Sequence, residues 1–112
     1  MTQFYISPEA LNDLAEIKEY ITTELENTTA ALNVVSKTTK ALRGLERFPS
    51  IGTPLASIID MPTDYRFLVM GNYLSFYRHE GDAVHVVRVL YGKRDYFKVL
   101  FGELPEQEPD SE

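Results

Sequence analysis

YRFLVMGNYLSFYRHEGDAVHVVRVLYGKRDY, residues 65–96, decides the fold, because it holds three strand-like runs separated by two turn signals. Tyr65–Met70, Tyr73–His79 and Val84–Tyr91 are rich in β-branched and aromatic residues and have the length of strands. Gly71-Asn72 and Glu80-Gly81-Asp82 lie between them and carry residues that tolerate the positive φ a hairpin needs. The stretch therefore reads as an antiparallel meander.

These strands do not alternate apolar with polar, so both faces of the sheet need cover. If each connection counts three residues, odd and even positions keep their faces throughout, and Arg66, Arg78 and Arg88 share one of them. A two-residue connection at either hairpin splits the arginines. The expectation is that the odd, tyrosine-rich face packs on helices. The even face, with Leu74, Phe76 and the arginines, is then open to a partner.

Working outward, Gln3–Ile6 is a short strand candidate closed by Ser7-Pro8-Glu9. That triplet starts a helix: a capping serine, a proline where no N–H is needed, and an acid at the positive end of the dipole. Leu11, Leu14, Ile17, Ile21 and Leu25 recur at helical spacing, with Asp13, Glu16, Lys18 and Glu19 assigned to the solvent side and an end near Glu26. Asn27-Thr28-Thr29 caps a second helix with Ala31, Leu32, Val35, Leu42, Leu45 and Phe48 as its apolar positions. Thr38 stands where the period calls for another apolar residue. Lys37, Lys40, Arg43 and Arg47 form its basic side, read as a solvated face, and Pro49 stops it. Residues 50–64, with Gly52, Pro54 and Pro62, read as a surface connection.

The elements compose an α+β domain of order β-α-α-β-β-β, a small twisted antiparallel sheet with two N-terminal helices packed on one face. Tyr96, Phe97, Val99, Leu100 and Phe101 add a short C-terminal helix or edge against the sheet. Residues 1–102 make this single domain, and the acidic, proline-containing 103–112 reads as a disordered tail that either solubilises the chain or folds over a basic patch.

Composition narrows the function classes. With 112 residues there is room for one modest core. The absence of cysteine excludes disulfides and thiolate metal sites, and His79 and His85 have no partner spacing that reads as a metal centre, so no cofactor is expected. No apolar run reaches the length of a membrane span and no leader pattern precedes the first strand, so a cytoplasmic location is expected. The net charge of −6 is uneven: residues 1–64 hold nine acids and five bases, residues 65–102 three acids and six bases, and residues 103–112 five acids and no base. The basic excess lies on the sheet and just beyond it. Lys93 and Arg94 there present two cations where a phosphate or a partner's carboxylate can sit, while Arg94-Asp95 can equally pin the last strand to the C-terminal segment after it.

The strings GNYLSFYR at Gly71–Arg78 and VVRVLYGKRDY at Val86–Tyr96, with Tyr65-Arg66 and FPSIGTPL at Phe48–Leu55, resemble the RelE/ParE superfamily of toxins from bacterial type II toxin-antitoxin systems, and sit closer to its ParE-like branch. The resemblance runs over nearly the whole chain to Gly102. It implies a cytoplasmic toxin held inactive by a cognate antitoxin that wraps it with an extended or helical segment. It also implies assembly as a homodimer or a toxin-antitoxin hetero-oligomer.

The ParE-like branch inhibits growth by binding an essential target such as DNA gyrase. The RelE-like branch cuts mRNA on the ribosome as a metal-independent endoribonuclease. Cleavage by 2′-OH attack needs a proton acceptor, a proton donor and cations for the phosphate. By the resemblance, Arg66 and Arg94 fall where RelE-type basic groups stand; the proton-donor role is left open by it, with Tyr91, Tyr96 and His85 as the side chains able to fill it and Tyr91 taken as the candidate. Leu68 and Leu74 fall where those nucleases carry further basic groups, and Leu100 falls near their tyrosine. Arginine fixes a phosphate but shuttles protons poorly. For the binding reading, the target- or antitoxin-contacting set is Arg66, Leu74, Phe76, Arg78, Arg88, Lys93, Arg94 and Tyr96. A third reading is a non-toxic binding module that retains the fold.

Overall fold

The computed structural model describes residues 2–92 and 94–102. Strand β1 (Gln3–Ile6) leads to helices α1 (Pro8–Thr23) and α2 (Thr28–Arg43), and a 3-10 turn over Gly44–Glu46 extends the second helix. Then come β2 (Thr53–Pro54), a 3-10 turn over Leu55–Ser57, β3 (Tyr65–Met70), β4 (Tyr73–Glu80), β5 (Ala83–Tyr91) and helix α3 (Tyr96–Phe101). The α+β order expected from the sequence is present, including the short C-terminal helix. The tail, and Lys93, lie outside the described residues.

The helix starts follow the capping chemistry. Ser7 Oγ accepts the Ala10 N–H at 2.9 Å, and its own hydroxyl donates to the Val87 carbonyl at 2.7 Å, tying the start of α1 to β5. Asn27 Oδ1 accepts the Ala30 N–H at 2.9 Å and starts α2. The first helix ends at Thr23, short of Glu26, where the chain turns with a positive φ of 50°.

The sheet has order β1-β5-β4-β3-β2 and is mixed, which corrects the antiparallel expectation. β1 runs parallel to β5 in the register Gln3↔Ala83 to Ile6↔Val86, because the α1–α2 hairpin carries the chain over one face before the meander begins. β2 is a two-residue edge inside the stretch read as a plain connection.

Both meander connections are two-residue turns, since Met70 pairs Tyr73 and Glu80 pairs Ala83. Gly71 and Gly81 take φ of 61° and 57° in them. Even positions of β3 therefore share a face with odd positions of β4. A bulge opposite Phe76 and Tyr77 then shifts the parity of β5 between Val86 and Arg88. The odd-against-even assignment of faces is corrected accordingly. Leu68, Tyr77, Val84, Val86 and Val89 pack under Ala10, Leu42 and Leu45 of the helical layer, with Phe4 and Ile6 of β1 alongside.

The second face is not open. Phe76, Leu90 and Leu55 form a separate buried cluster with Phe67 and Leu74, covered by Tyr96, Val99, Leu100 and Phe101 of α3. The Phe76 and Tyr96 rings lie 5.2 Å apart, and Phe101 meets Tyr65 edge-on at 5.5 Å. A helix of six residues suffices as a lid because most of its side chains are apolar and half-buried against the cluster, each removing part of its apolar surface from water.

One helical assignment also reverses. Asp13, placed on the solvent side by its polarity, is only 3 % exposed, whereas Leu11 and Leu25 are exposed. Its carboxylate receives two hydrogen bonds from the Arg88 guanidinium, at 2.7 and 2.8 Å, and the Val89 N–H at 2.9 Å. Thr38 faces the core as its position in the period requires.

Candidate functional site

Where α1 crosses the end of the β4–β5 pair, an open groove of about 550 Å³ remains. Its walls come from Glu16, Ile17, Tyr20 and Leu25 on one side and from Tyr73, Tyr91 and Arg94 on the other, with Asp13 and Val89 on the floor. Helical spacing brings residues 13, 16, 17 and 20 to one stripe of α1. The pairing of Tyr73 with Tyr91 across the antiparallel strands sets their rings 5.9 Å apart in an edge-on contact. The Gly92 N–H donates to the Asn72 carbonyl at 2.8 Å, joining the first hairpin to the end of β5. A Cβ at Gly92 would come within 3.2 Å of that carbonyl oxygen.

Arg94 lies in a tight turn after β5, its N–H donating to Tyr91 O at 2.9 Å and its carbonyl accepting from Tyr96 N at 2.8 Å. Its side chain makes no ion pair among the described residues. Burial first, and then the neighbouring Tyr20 and Tyr91 phenols, push Tyr73 above the ordinary 10.0. It stays a neutral hydroxyl at physiological pH. The groove thus combines aromatic surface, one cation and the carboxylates of Asp13 and Glu16, a mixture suited to gripping a protein side chain or segment.

Arg94 and Tyr91, two of the three residues tied to a nuclease reading, meet at this groove. Arg66 does not. It lies on β3, two strands from Tyr91, and four residues back along the ladder from Met70, a displacement of roughly 13 Å along the strand direction alone at the usual rise per residue. Its guanidinium donates to the carbonyls of Ser50 at 3.2 Å and Gly52 at 2.7 Å.

The other arginines are also engaged. Arg78 donates to both oxygens of Asp64, at 3.0 and 2.8 Å, meets Glu80 at 2.9 Å and lies over the Tyr65 ring at 5.8 Å. Hydrogen bonding from Arg78 holds the Asp64 carboxyl below its ordinary value of 3.8. Arg88 is tied to Asp13, and that hydrogen bonding outweighs burial to raise its pKa further.

Two of the expected contact residues lie in the cluster under α3. Phe76 is fully buried beneath α3 and offers no surface to a partner, and Leu74 packs into the same cluster. Tyr96 spends part of its ring on Phe76. His85 stacks on Tyr5 with ring centroids 5.1 Å apart and lies 3.8 Å from Glu80. No group of His, Asp and Glu among the described residues is arranged to hold a metal ion. Tyr20, Tyr73 and Glu16 escaped the sequence reading. The i, i+3, i+7 run of Asp13, Glu16 and Tyr20 is a signal that could have found the two on α1.

Among the described residues no helix is long and apolar enough to cross a membrane. No curated protein matches the chain. Among solved structures, the chain resembles the one titled "Chromosomal ParDE TA system from P. aeruginosa", with a TM-score of 0.68 at 18% identity over 81% of this chain and 96% of that one. The family model described as "ParE toxin of type II toxin-antitoxin system, parDE" matches residues 4–96. A match over that much of its length places the chain in the ParE toxin family of type II toxin-antitoxin systems.

Proposed function

We propose that this protein arrests growth by binding an essential target, DNA gyrase being the first candidate, and that a cognate antitoxin holds it inactive. The observation that carries the reading is the division of labour among the arginines. Arg66, Arg78 and Arg88 are each engaged by carbonyls or carboxylates of the chain itself, and Arg94 is left beside an aromatic groove. A cation flanked by Tyr91, Tyr73 and Tyr20 is the composition of a binding hot spot. Membership of the ParE family supports the same view.

The test pairs a gyrase supercoiling assay on the purified protein with primer extension on mRNA after induction. Inhibited supercoiling with intact transcripts is expected. Cleaved transcripts with unaffected supercoiling would transfer the function to the mRNA endonuclease reading, in which Arg94 and Tyr91 act together. No growth arrest at all would indicate a binding module. Arg94→Ala is expected to lower growth arrest at least tenfold while leaving the thermal midpoint unchanged, because the side chain makes no ion pair among the described residues.

A further inference from the structure

Away from the groove, the connection after α2 displays apolar side chains on a backbone that is held unusually firmly. Phe48 is 60% and Ile51 65% exposed, yet the loop between them is not loose. The buried Tyr77 hydroxyl donates to the Pro49 carbonyl at 2.8 Å and accepts the Gly52 N–H at 2.9 Å. Arg66 adds its two hydrogen bonds to Ser50 and Gly52, and the Ile51 N–H closes a turn onto Phe48 O at 3.1 Å. Gly52 is part of the clamp, since a Cβ there would sit 2.6 Å from Tyr77 Oη and 2.9 Å from the Phe67 carbonyl. Burial raises the pKa of Tyr77 above 10.0, so it keeps the proton it donates.

A basic stripe leads along α2 toward this loop. Lys37, Lys40 and Arg43 project from the side of α2 opposite its buried positions Thr38 and Leu42, and Arg47 lies just beyond, its guanidinium 5.9 Å above the Phe48 ring. Glu46, 3.8 Å from Arg43, is the sole acid paired with this stripe among the described residues.

We infer that the clamped loop and the cationic stripe together dock an acidic amphipathic segment of a protein partner. An apolar residue of the partner would cover Phe48 and Ile51, and its carboxylates would lie along Arg47, Arg43 and Lys40. Charge complementarity selects an acidic occupant, and the two exposed apolar side chains select a protein over a nucleic acid, whose backbone offers them no counterpart. A loop already fixed by Tyr77 and Arg66 loses little freedom on binding, which is the condition under which a small apolar contact yields affinity. The surface is separate from the Arg94 groove, so it stands whether or not gyrase is the target.

The test uses the full chain and a synthetic amphipathic helix of about 15 residues with one leucine face and one glutamate face. Anisotropy measures its affinity, and heteronuclear NMR maps the contact. Binding that weakens with salt and perturbs Phe48, Ile51 and Arg47 is expected. Replacing glutamate by glutamine in the peptide should weaken it about tenfold, as should the double variants Phe48→Ser/Ile51→Ser and Arg43→Glu/Arg47→Glu in the protein. Melting curves of both variants should match the parent, since all four side chains are exposed. Equal affinity for the glutamine peptide, tighter binding of a DNA duplex run in parallel, or perturbations centred on Tyr91 and Arg94 would each overturn the assignment.

Discussion

One side of the sheet carries two helices of sixteen residues each, and the other carries a six-residue helix and a three-residue 3-10 turn. The larger layer is fastened by polar bonds as well as by apolar contact. Asp13 binds Arg88 and Val89 N–H across 75 and 76 positions of sequence, and Ser7 reaches Val87 across 80. The smaller layer rests on ring and aliphatic contacts around Phe76, Leu90 and Tyr65. A helix as short as α3 has no stability of its own in water, so it depends on packing its half-buried side chains against the sheet. The sealing of the two faces therefore differs in kind: one is set by directional bonds that fix a geometry, the other by area removed from water.

The contrast predicts a ranking of substitutions. Asp13→Ala should cost about 3–5 kcal/mol in urea denaturation, because it leaves the Arg88 charge and the Val89 N–H without partners in a partly dry site. Adding Arg88→Met should recover most of the loss. If the double variant is no more stable than the single one, the pair is not the fastening of the helical face.

Leu74→Asp should cost about 2–4 kcal/mol, since the carboxylate enters the cluster beneath α3. A cost near zero would mean that the second face is wet and that α3 does not cover it. Tyr77→Phe removes two hydrogen bonds from a fully buried hydroxyl site and should cost about 1–3 kcal/mol. Faster amide exchange at Gly52 with unchanged exchange in α3 would locate the damage on the helical side.

The smallest effect belongs to pH. Asp64 is depressed below 3.8 in the folded protein, so its pairing with Arg78 stabilises the fold above that pH and is lost as pH falls through the folded value. Because Asp64 is mostly exposed, Asp64→Asn should lower stability by under about 1 kcal/mol at neutral pH. The difference from the parent should vanish in acid.

Much of this arrangement was legible in the residues themselves. Ser7-Pro8, Asn27 and the glycines at 71 and 81 mark element boundaries by local chemistry, and the β-branched runs mark the meander. Facing could not be read the same way. It depends on whether a turn holds two residues or three and on one bulge opposite Phe76 and Tyr77, and neither leaves a trace in composition. The short α3 was foreseen as an element, but its cover of Phe76 was not credited, because a count of long helices undervalues six residues that are mostly apolar. Arg94 and Tyr91 stood out as a cation and an aromatic at a strand end. The engagement of Arg88 was hidden, since its partner lies 75 positions away on a helix face that polarity alone assigned to solvent.

The parallel pairing of β1 with β5 has a consequence for synthesis. The fifth-strand segment that must receive Gln3–Ile6 begins at Ala83, so a nascent chain carries an unmatched N-terminal strand until most of the polypeptide has emerged. The groove requires the same late residues, because Tyr91 and Arg94 form one of its walls. The groove is therefore completed only once Tyr91 and Arg94 have been made, well after the α1 residues that form its other wall.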